Sequence, residues 1–276
     1  MKVFQYITLF LCCGILVCSC TNGVEGSPDE NPGNPLLFSC SVTSARGSQT
    51  TGETLNSMGV IGFETGILNY GEWKKTENSA PNFMNNQSME RVNGNWIYSP
   101  VKYWPEDENK RLSFFAYAPY STGTNGISIS GTTLTYTTPT NAGNHPDLLI
   151  AASLMDQTPG GILNFQFQHA LACVSFKYTG TDTLTSITLK GIKTIGTYAL
   201  DASNSWTLTN TVTEITCQWT TQADPNENCY LMLLPQEPTE KVTATLTFDG
   251  NSKDIDISIP SGGWVAGNRY QYILTD

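Results

Sequence analysis

The chain has 276 residues, a formal net charge of −10 and only 14% charged residues. That acidity excludes nucleic-acid binding, which draws most of its affinity from a basic face, and a polybasic mode of membrane attachment. The length allows one large or two ordinary domains, and the abundance of Thr, Ser, Asn, Gly and Tyr points to an exported all-β protein.

Met1-Lys2 precedes an apolar run from Val3 to Val17. A positive residue before a short apolar run is a secretory signal peptide, and the run falls short of the roughly 20 apolar residues a membrane span needs. It closes on Val17-Cys18-Ser19-Cys20. An aliphatic residue, a small residue, Ser and Cys stand in the order of a bacterial lipobox, with Cys18 a small departure in the second place. Residues 1–19 are expected to be the signal peptide and Cys20 the lipid attachment point, anchoring the chain to the outer membrane. Residues 20–35 are the lipidated Cys and a Gly/Pro/Asn/acid-rich spacer with no apolar periodicity, which reads as a flexible tether.

Leu36, Phe38, Cys40 and Val42 alternate with polar residues and predict one strand with an apolar face. Val60 to Phe63 is a second short run. Residues 66–95, Asn-rich in the middle, read as loops with brief strands. Asn93-Gly94 is a turn signal feeding Trp96-Ile97-Tyr98. Leu112 to Tyr117 is a dense apolar strand. Shorter signals recur at 127–129, 134–136 and 148–152. Pro159-Gly160-Gly161 is the best boundary, dividing the body into a sandwich at 36–160 and a second at 161–276. Beyond it, the apolar parity of the run from Leu163 to Tyr178 changes near His169-Ala170, which calls for a bulge or a sharp bend. Strands follow near 187–192, 198–200, 206–208, 212–219 and 230–234. A hairpin turns at Gly250, and a last strand runs from Tyr270 to Leu274. No window keeps a helical period for more than a few turns. Short strands at this spacing predict a β-sandwich or barrel architecture.

Catalytic constellations are missing. His145 lies in a Gly-Asn-His-Pro-Asp turn, and His169 lies in an apolar strand, where it is expected as a hydrogen-bonded core or bend residue. No HExxH, GxSxG or phosphate loop occurs. Asp254 and Asp256 alternate onto the outer face of a strand. Glu106-Asp107-Glu108 and Asp224/Asn226/Asn228 match no complete calcium loop. No enzyme activity, metal or cofactor is expected. Trp73, Trp96, Trp104, Trp206, Trp219 and Trp264 read first as sandwich-capping residues and second as a glycan-stacking platform. Once the leader and Cys20 are set aside, Cys40, Cys173, Cys217 and Cys229 remain. They admit three disulfide connectivities, or stand as small buried hydrophobes.

Trp96-Ile97-Tyr98-Ser99-Pro100, Val101-Lys102-Tyr103-Trp104-Pro105 and Leu112-Ser113-Phe114-Phe115-Ala116-Tyr117-Ala118-Pro119-Tyr120 form an ordered series. It continues with Asp147-Leu148-Leu149-Ile150-Ala151, Leu163-Asn164-Phe165-Gln166-Phe167-Gln168-His169-Ala170-Leu171 and Ile187-Thr188-Leu189-Lys190-Gly191-Ile192. Leu234-Pro235-Gln236 and Trp264-Val265-Ala266-Gly267-Asn268-Arg269-Tyr270 complete it. In number, order and spacing these segments resemble the fimbrillin family, its Mfa-like branch, over nearly the whole mature chain. The resemblance implies two tandem transthyretin-like β-sandwich domains and a role as a pilus subunit or fimbria-associated adhesin. Such a subunit is exported as a surface lipoprotein precursor of Gram-negative anaerobes, and its partners are other fimbrial subunits and host or bacterial surface ligands. It further implies that an arginine-specific protease cuts at Arg46, before Gly47, and releases the strand of Leu36, Phe38, Cys40 and Val42 so that a neighbour's strand fills its place. A removable strand requires Cys40 to be unpaired within the chain. The alternative is a lipoprotein that stays anchored in the outer membrane and binds glycans or host ligands.

Overall fold

Alternating apolar side chains bury one face of an extended segment, and the backbone groups left at its edges demand neighbouring strands. The computed structural model, which describes residues 33–43, 50–76, 80–202, 205–219 and 229–275, is built almost entirely of such strands. In chain order they are β1 (Phe38–Val42), β2 (Ser57–Gly66), β3 (Met84–Val92), β4 (Asn95–Ile97), β5 (Arg111–Ala118), β6 (Ile127–Ser130) and β7 (Thr133–Thr137). Then come β8 (Leu149–Ala151), β9 (Leu154–Gln157), β10 (Leu163–His169), β11 (Ala172–Tyr178), β12 (Leu184–Lys190), β13 (Ile195–Ala199) and β14 (Trp206–Leu208). The last are β15 (Ile215–Gln218), β16 (Cys229–Leu233), β17 (Thr243–Phe248), β18 (Asn251–Asp256) and β19 (Arg269–Leu274). One short helix, α1 (Tyr70–Thr76), and a 3-10 turn at Ala142–Asn144 interrupt them.

The first sheet runs β1-β10-β8-β5-β2-β3-β4, with β9 also paired to β5. It curls until its two terminal strands approach, and the Phe38 and Tyr98 rings meet across that seam at 5.6 Å. Leu36, Phe38, Met58, Val60, Phe114, Ala116, Phe165 and Phe167 fill the interior. The opposite face of β2 and β5 is buried too. There Ile61, Phe63, Phe115 and Tyr117 form a second core with Leu134, Tyr136 and Leu200 and with Met232 and Leu234 at the end of β16. Burial on both faces explains why these two strands read as nearly continuous apolar runs. A sheet of order β14-β13-β7-β6 contributes Leu134 and Tyr136 to that second core. The third core lies between the sheets β16-β11-β19 and β15-β12-β17-β18, where Val174, Phe176, Leu189, Leu231, Leu246 and Trp264 meet.

The parity change expected near His169 is a change of sheet. Phe165 and Phe167 point into the first core, the chain turns at Ala170-Leu171, and Val174 and Phe176 point into the third. The boundary expected at 160/161 falls between β9 and β10, both strands of the first sheet. Strand pairing runs across 160/161, because β10 hydrogen-bonds to β1 and β8, and it joins the earlier and later halves again where β13 pairs with β7.

Within 66–95, expected as loops with brief strands, the structure places a short helix and a nine-residue strand. Asn69 caps α1 reciprocally: Glu72 N–H donates to Asn69 Oδ1 at 2.9 Å, and Asn69 Nδ2 donates to Glu72 Oε2 at 2.7 Å. The Asn-rich stretch is β3, whose alternation is broken where Asn86 takes φ +48° and the register against β2 shifts.

Candidate functional site: the first strand and its groove

Residues 34–43 close the first sheet. Ahead of β1, Pro35 bridges antiparallel to Tyr103. Leu36 N–H donates to the Lys102 carbonyl and Trp104 N–H to the Asn34 carbonyl, both at 2.9 Å. The chain then crosses to a different neighbour. β1 runs parallel to β10, from Phe38 opposite Leu163 to Val42 opposite Phe167. Leu163 N–H to the Leu37 carbonyl and Thr43 N–H to the Phe167 carbonyl, both 2.9 Å, extend that ladder at its two ends. Residues 34–37 are thus hydrogen-bonded on both flanks, whereas β1 proper is the terminal strand of its sheet.

The side chains follow the alternation that the sequence predicts. Leu36 and Phe38 are 1% and 7% exposed, Cys40 and Val42 are half-buried, and Leu37 and Ser41 face outward. Phe38 stacks on Phe165 at 5.8 Å and meets Tyr98 and Phe114 edge-on at 5.6 Å. Tyr98 Oη donates to the Leu36 carbonyl at 2.9 Å and accepts the Lys102 N–H at 3.3 Å, so one side chain joins the strand to its wall. Burial of Leu36 and Phe38 contributes about 1.5–3 kcal/mol each. The strand is a plug held by apolar contact and backbone pairing. The Cys40 thiol is free. Burial pushes that thiol up, opposed by a hydrogen bond from the Trp96 side chain and the charge of Arg91.

Downstream of the strand, Thr50 N–H donates to Asp147 Oδ2 at 2.9 Å. The other oxygen of Asp147 lies 2.8 Å from His169 Nδ1, with both side chains buried. His169 is the hydrogen-bonded bend residue the sequence suggested. It anchors residue 50 to the end of β10.

Leu36, Phe38, Cys40 and Val42 are therefore brought together in one groove, while Cys20, Arg46 and Gly47 lie outside the described residues. Sequence reasoning missed Tyr98, Lys102 and Trp104 as the groove's second wall. Their signal was the density of aromatic residues around two prolines in Trp96-Ile97-Tyr98-Ser99-Pro100-Val101-Lys102-Tyr103-Trp104-Pro105. Asp147 heads the segment Asp147-Leu148-Leu149-Ile150-Ala151, but no local pattern links it to Thr50 or His169.

Asp254 and Asp256 are exposed. Trp73, Trp104 and Trp264 are buried, and the indole N–H groups of Trp206 and Trp264 donate to the Ala170 carbonyl at 2.9 Å and to Tyr272 Oη at 3.1 Å. Among the described residues no group of three or more His, Cys, Asp or Glu side chains is arranged to hold a metal ion. Asp224, Asn226 and Asn228 lie outside them.

Comparison with known proteins agrees with this architecture. The sequence model of a family described as fimbrillin-like matches residues 63–275, a span that begins after β1. The fimbrium subunit Fim1C of Phocaeicola vulgatus is 30% identical over 197 residues, covering 63% of this chain and 51% of that protein. The chain thus spans about half the length of that curated relative. Two crystal structures assigned to cell adhesion share the fold. One, from Bacteroides ovatus, superposes with a TM-score of 0.63 at 15% identity, covering 88% of this chain and 92% of the other. The second, from Bacteroides uniformis, gives 0.62 at 18% identity, covering 91% and 94%.

Proposed function

The chain belongs to the fimbrillin-like family, and from that premise we propose that it is a fimbrial structural subunit or fimbria-associated adhesin with a structural rather than an enzymatic role. It travels as a lipoprotein precursor held to the outer membrane through Cys20. Cleavage at Arg46, before Gly47, frees residues 36–42. The groove left between residues 102–104 and β10 accepts a strand from another fimbrial subunit, and head-to-tail filling produces a fimbrium. Head-to-tail contacts are heterologous and do not close, so they propagate as a filament. An empty groove exposes apolar surface and unpaired strand edges, both of which a new strand satisfies.

The observation that carries this reading is the way residues 34–43 sit. They complete the first core and are held by backbone pairing, side-chain burial and the side-chain hydrogen bonds Tyr98 to the Leu36 carbonyl and Ser39 to Asn164, with Cys40 a free thiol. A strand so placed leaves once its chain connection is cut.

The test is to treat the full-length lipidated chain with an arginine-specific protease and read its N-terminus by mass spectrometry. A new N-terminus at Gly47, followed by SDS-resistant oligomers, is expected. A chain that stays intact from Cys20, or is cut and remains monomeric, removes the processed-pilin reading and leaves an anchored lipoprotein.

A further inference from the structure

Apolar side chains gather on the outer surface where the chain enters the first sheet. Leu36 and Phe38 are buried, so the alternation turns Pro35 and Leu37 outward. Tyr103 is the bridge partner of Pro35. The register of β1 on β10, continued one step back, sets Leu37 beside Ile162, and Leu163 N–H donates to the Leu37 carbonyl at 2.9 Å. Val101 adjoins Lys102, whose carbonyl accepts the Leu36 N–H. Leu37, Val101, Tyr103 and Ile162 are 53%, 47%, 40% and 61% exposed. Single exposed apolar residues are ordinary, but a contiguous group marks a contact surface. None of the five side chains carries a charge. In the adjoining sequence, the Lys102 ammonium lies over the Phe83 ring at 5.5 Å, and Glu106, Asp107 and Glu108 are exposed.

We propose that this apolar rim is a lipid-contact surface, and that in the anchored precursor it rests on the zwitterionic phospholipid of the bilayer that holds Cys20. The inference rests on the lipoprotein reading above. Residues 20–32 separate the anchor from the first described residue and reach at most about 45 Å even when fully extended. They join the body at Gly33, two positions before Pro35. An anchored chain therefore carries the rim within reach of the bilayer, and docking becomes an intramolecular step that a small apolar surface can complete. Anchoring through one lipidated residue gains from such a second contact. A tyrosine among aliphatic side chains suits the boundary between headgroups and acyl chains. The three acids beyond Pro105 oppose anionic headgroups, which selects neutral lipid. Cleavage at Arg46 removes Pro35 and Leu37 together with Cys20, so the anchor and the middle of the rim leave in one step.

The experiment holds residues 20–276 on phosphatidylcholine vesicles through a histidine tag ahead of Cys20 and a nickel-chelating lipid, so that it does not depend on acylation. Ile162→Trp and Val212→Trp place an indole at an exposed position inside and outside the rim. Brominated phosphatidylcholine then quenches the tryptophan it touches. Quenching of the added indole at 162 is expected to exceed that at 212 several-fold, and Leu37→Asp with Val101→Asp to abolish the excess. Tyr103→Asp is a second variant, expected to lower the quenching without moving the melting temperature. Replacing part of the lipid by phosphatidylglycerol is expected to weaken it. Equal quenching at 162 and 212 overturns the inference. So does emission at 162 that follows the density of protein on the vesicle rather than bromination, which means that a second copy covers the rim. Quenching that strengthens with phosphatidylglycerol overturns the choice of neutral lipid. Cys20 found without acyl chains in cells removes the lipoprotein reading and leaves the vesicle result standing, whereas acylated Cys20 with no excess quenching at 162 removes the rim contact alone.

Discussion

At the residue scale, the side chains that decide most are those whose partners lie far along the chain. Phe38 meets rings at positions 98, 114 and 165. Phe38→Ala removes all three contacts and leaves a cavity, so it is expected to cost about 3–5 kcal/mol in urea denaturation of the intact chain. A loss below about 1 kcal/mol contradicts the plug geometry. His145 is a second case. Its Nε2 lies 2.8 Å from the Pro139 carbonyl, and its Nδ1 accepts the Met232 N–H at 3.0 Å, which fixes the neutral ring with Nε2 protonated. Burial holds its pKa below the ordinary histidine value, against the backbone hydrogen bond to Pro139. The unfolded chain therefore takes up that proton first as pH falls. Stability is complete above the unfolded value of about 6.5 and declines below it by up to about 1.4 kcal/mol per pH unit, until the folded ring also titrates. Denaturant midpoints at pH 7.5 and 5.5 check this, and a His145→Gln chain should lose that part of the slope. Asp201 has the opposite sign. Burial acts to raise it, but hydrogen bonds from Lys74, Tyr70 and Thr132 outweigh burial and hold its carboxyl below the ordinary range. Its stabilisation is complete above the unfolded value of about 3.9 and is lost as pH falls through the lower folded one. His169 was legible as a bend residue because a lone histidine in an apolar run has to find a partner. That the partner is Asp147, 22 residues earlier, was not, since no local pattern links the two.

At the scale of elements, alternation was a reliable guide wherever it was unbroken. The strand signal at Leu36, Phe38, Cys40 and Val42 and the hairpin of β17 and β18 around Gly250 both emerged as read. It failed at β3, where the positive φ of Asn86 inserts a register shift and hides a strand inside an Asn-rich stretch. It failed also at α1, which is too short for a helical period to register. The Asn69 to Glu72 capping signature was the available clue. Of the four cysteines, the structure pairs Cys217 with Cys229 and leaves Cys173 as a free thiol alongside Cys40. That bridge joins β15 to β16, strands of the two facing sheets of the C-terminal sandwich. It closes a short loop, so a Cys217→Ser/Cys229→Ser chain is expected to lose about 2–3 kcal/mol. The melting temperature should then drop by about 5–10 °C, and reductant should reproduce the drop in the unmodified chain. A melting temperature indifferent to both sinks the assignment.

At the scale of the whole molecule, the two sandwiches are not independent. Phe115 and Tyr117 from the first sheet pack in one core with Met232 and Leu234 from the end of β16. A shared core predicts one cooperative transition in calorimetry, with calorimetric and van't Hoff enthalpies in agreement. It also predicts that Leu234→Ala lowers that single transition, as a buried truncation costing about 2–5 kcal/mol. Two resolved transitions would mean that the contact between the sandwiches is dispensable. Composition and periodicity, by themselves, determined an all-β chain with an apolar strand at Leu36, Phe38, Cys40 and Val42, and the ordered aromatic segments carried its resemblance to the fimbrillin family. Those properties are local, because a strand declares itself by the alternation of its own side chains. What the tertiary structure alone decided was which strands are neighbours. It put β10 in the first sheet, joined β7 to β13, and set residues 34–43 between residues 102–104 and β10. Pairing joins residues more than a hundred positions apart, and the free energy that selects a partner comes from cores that exist only once all their strands are present.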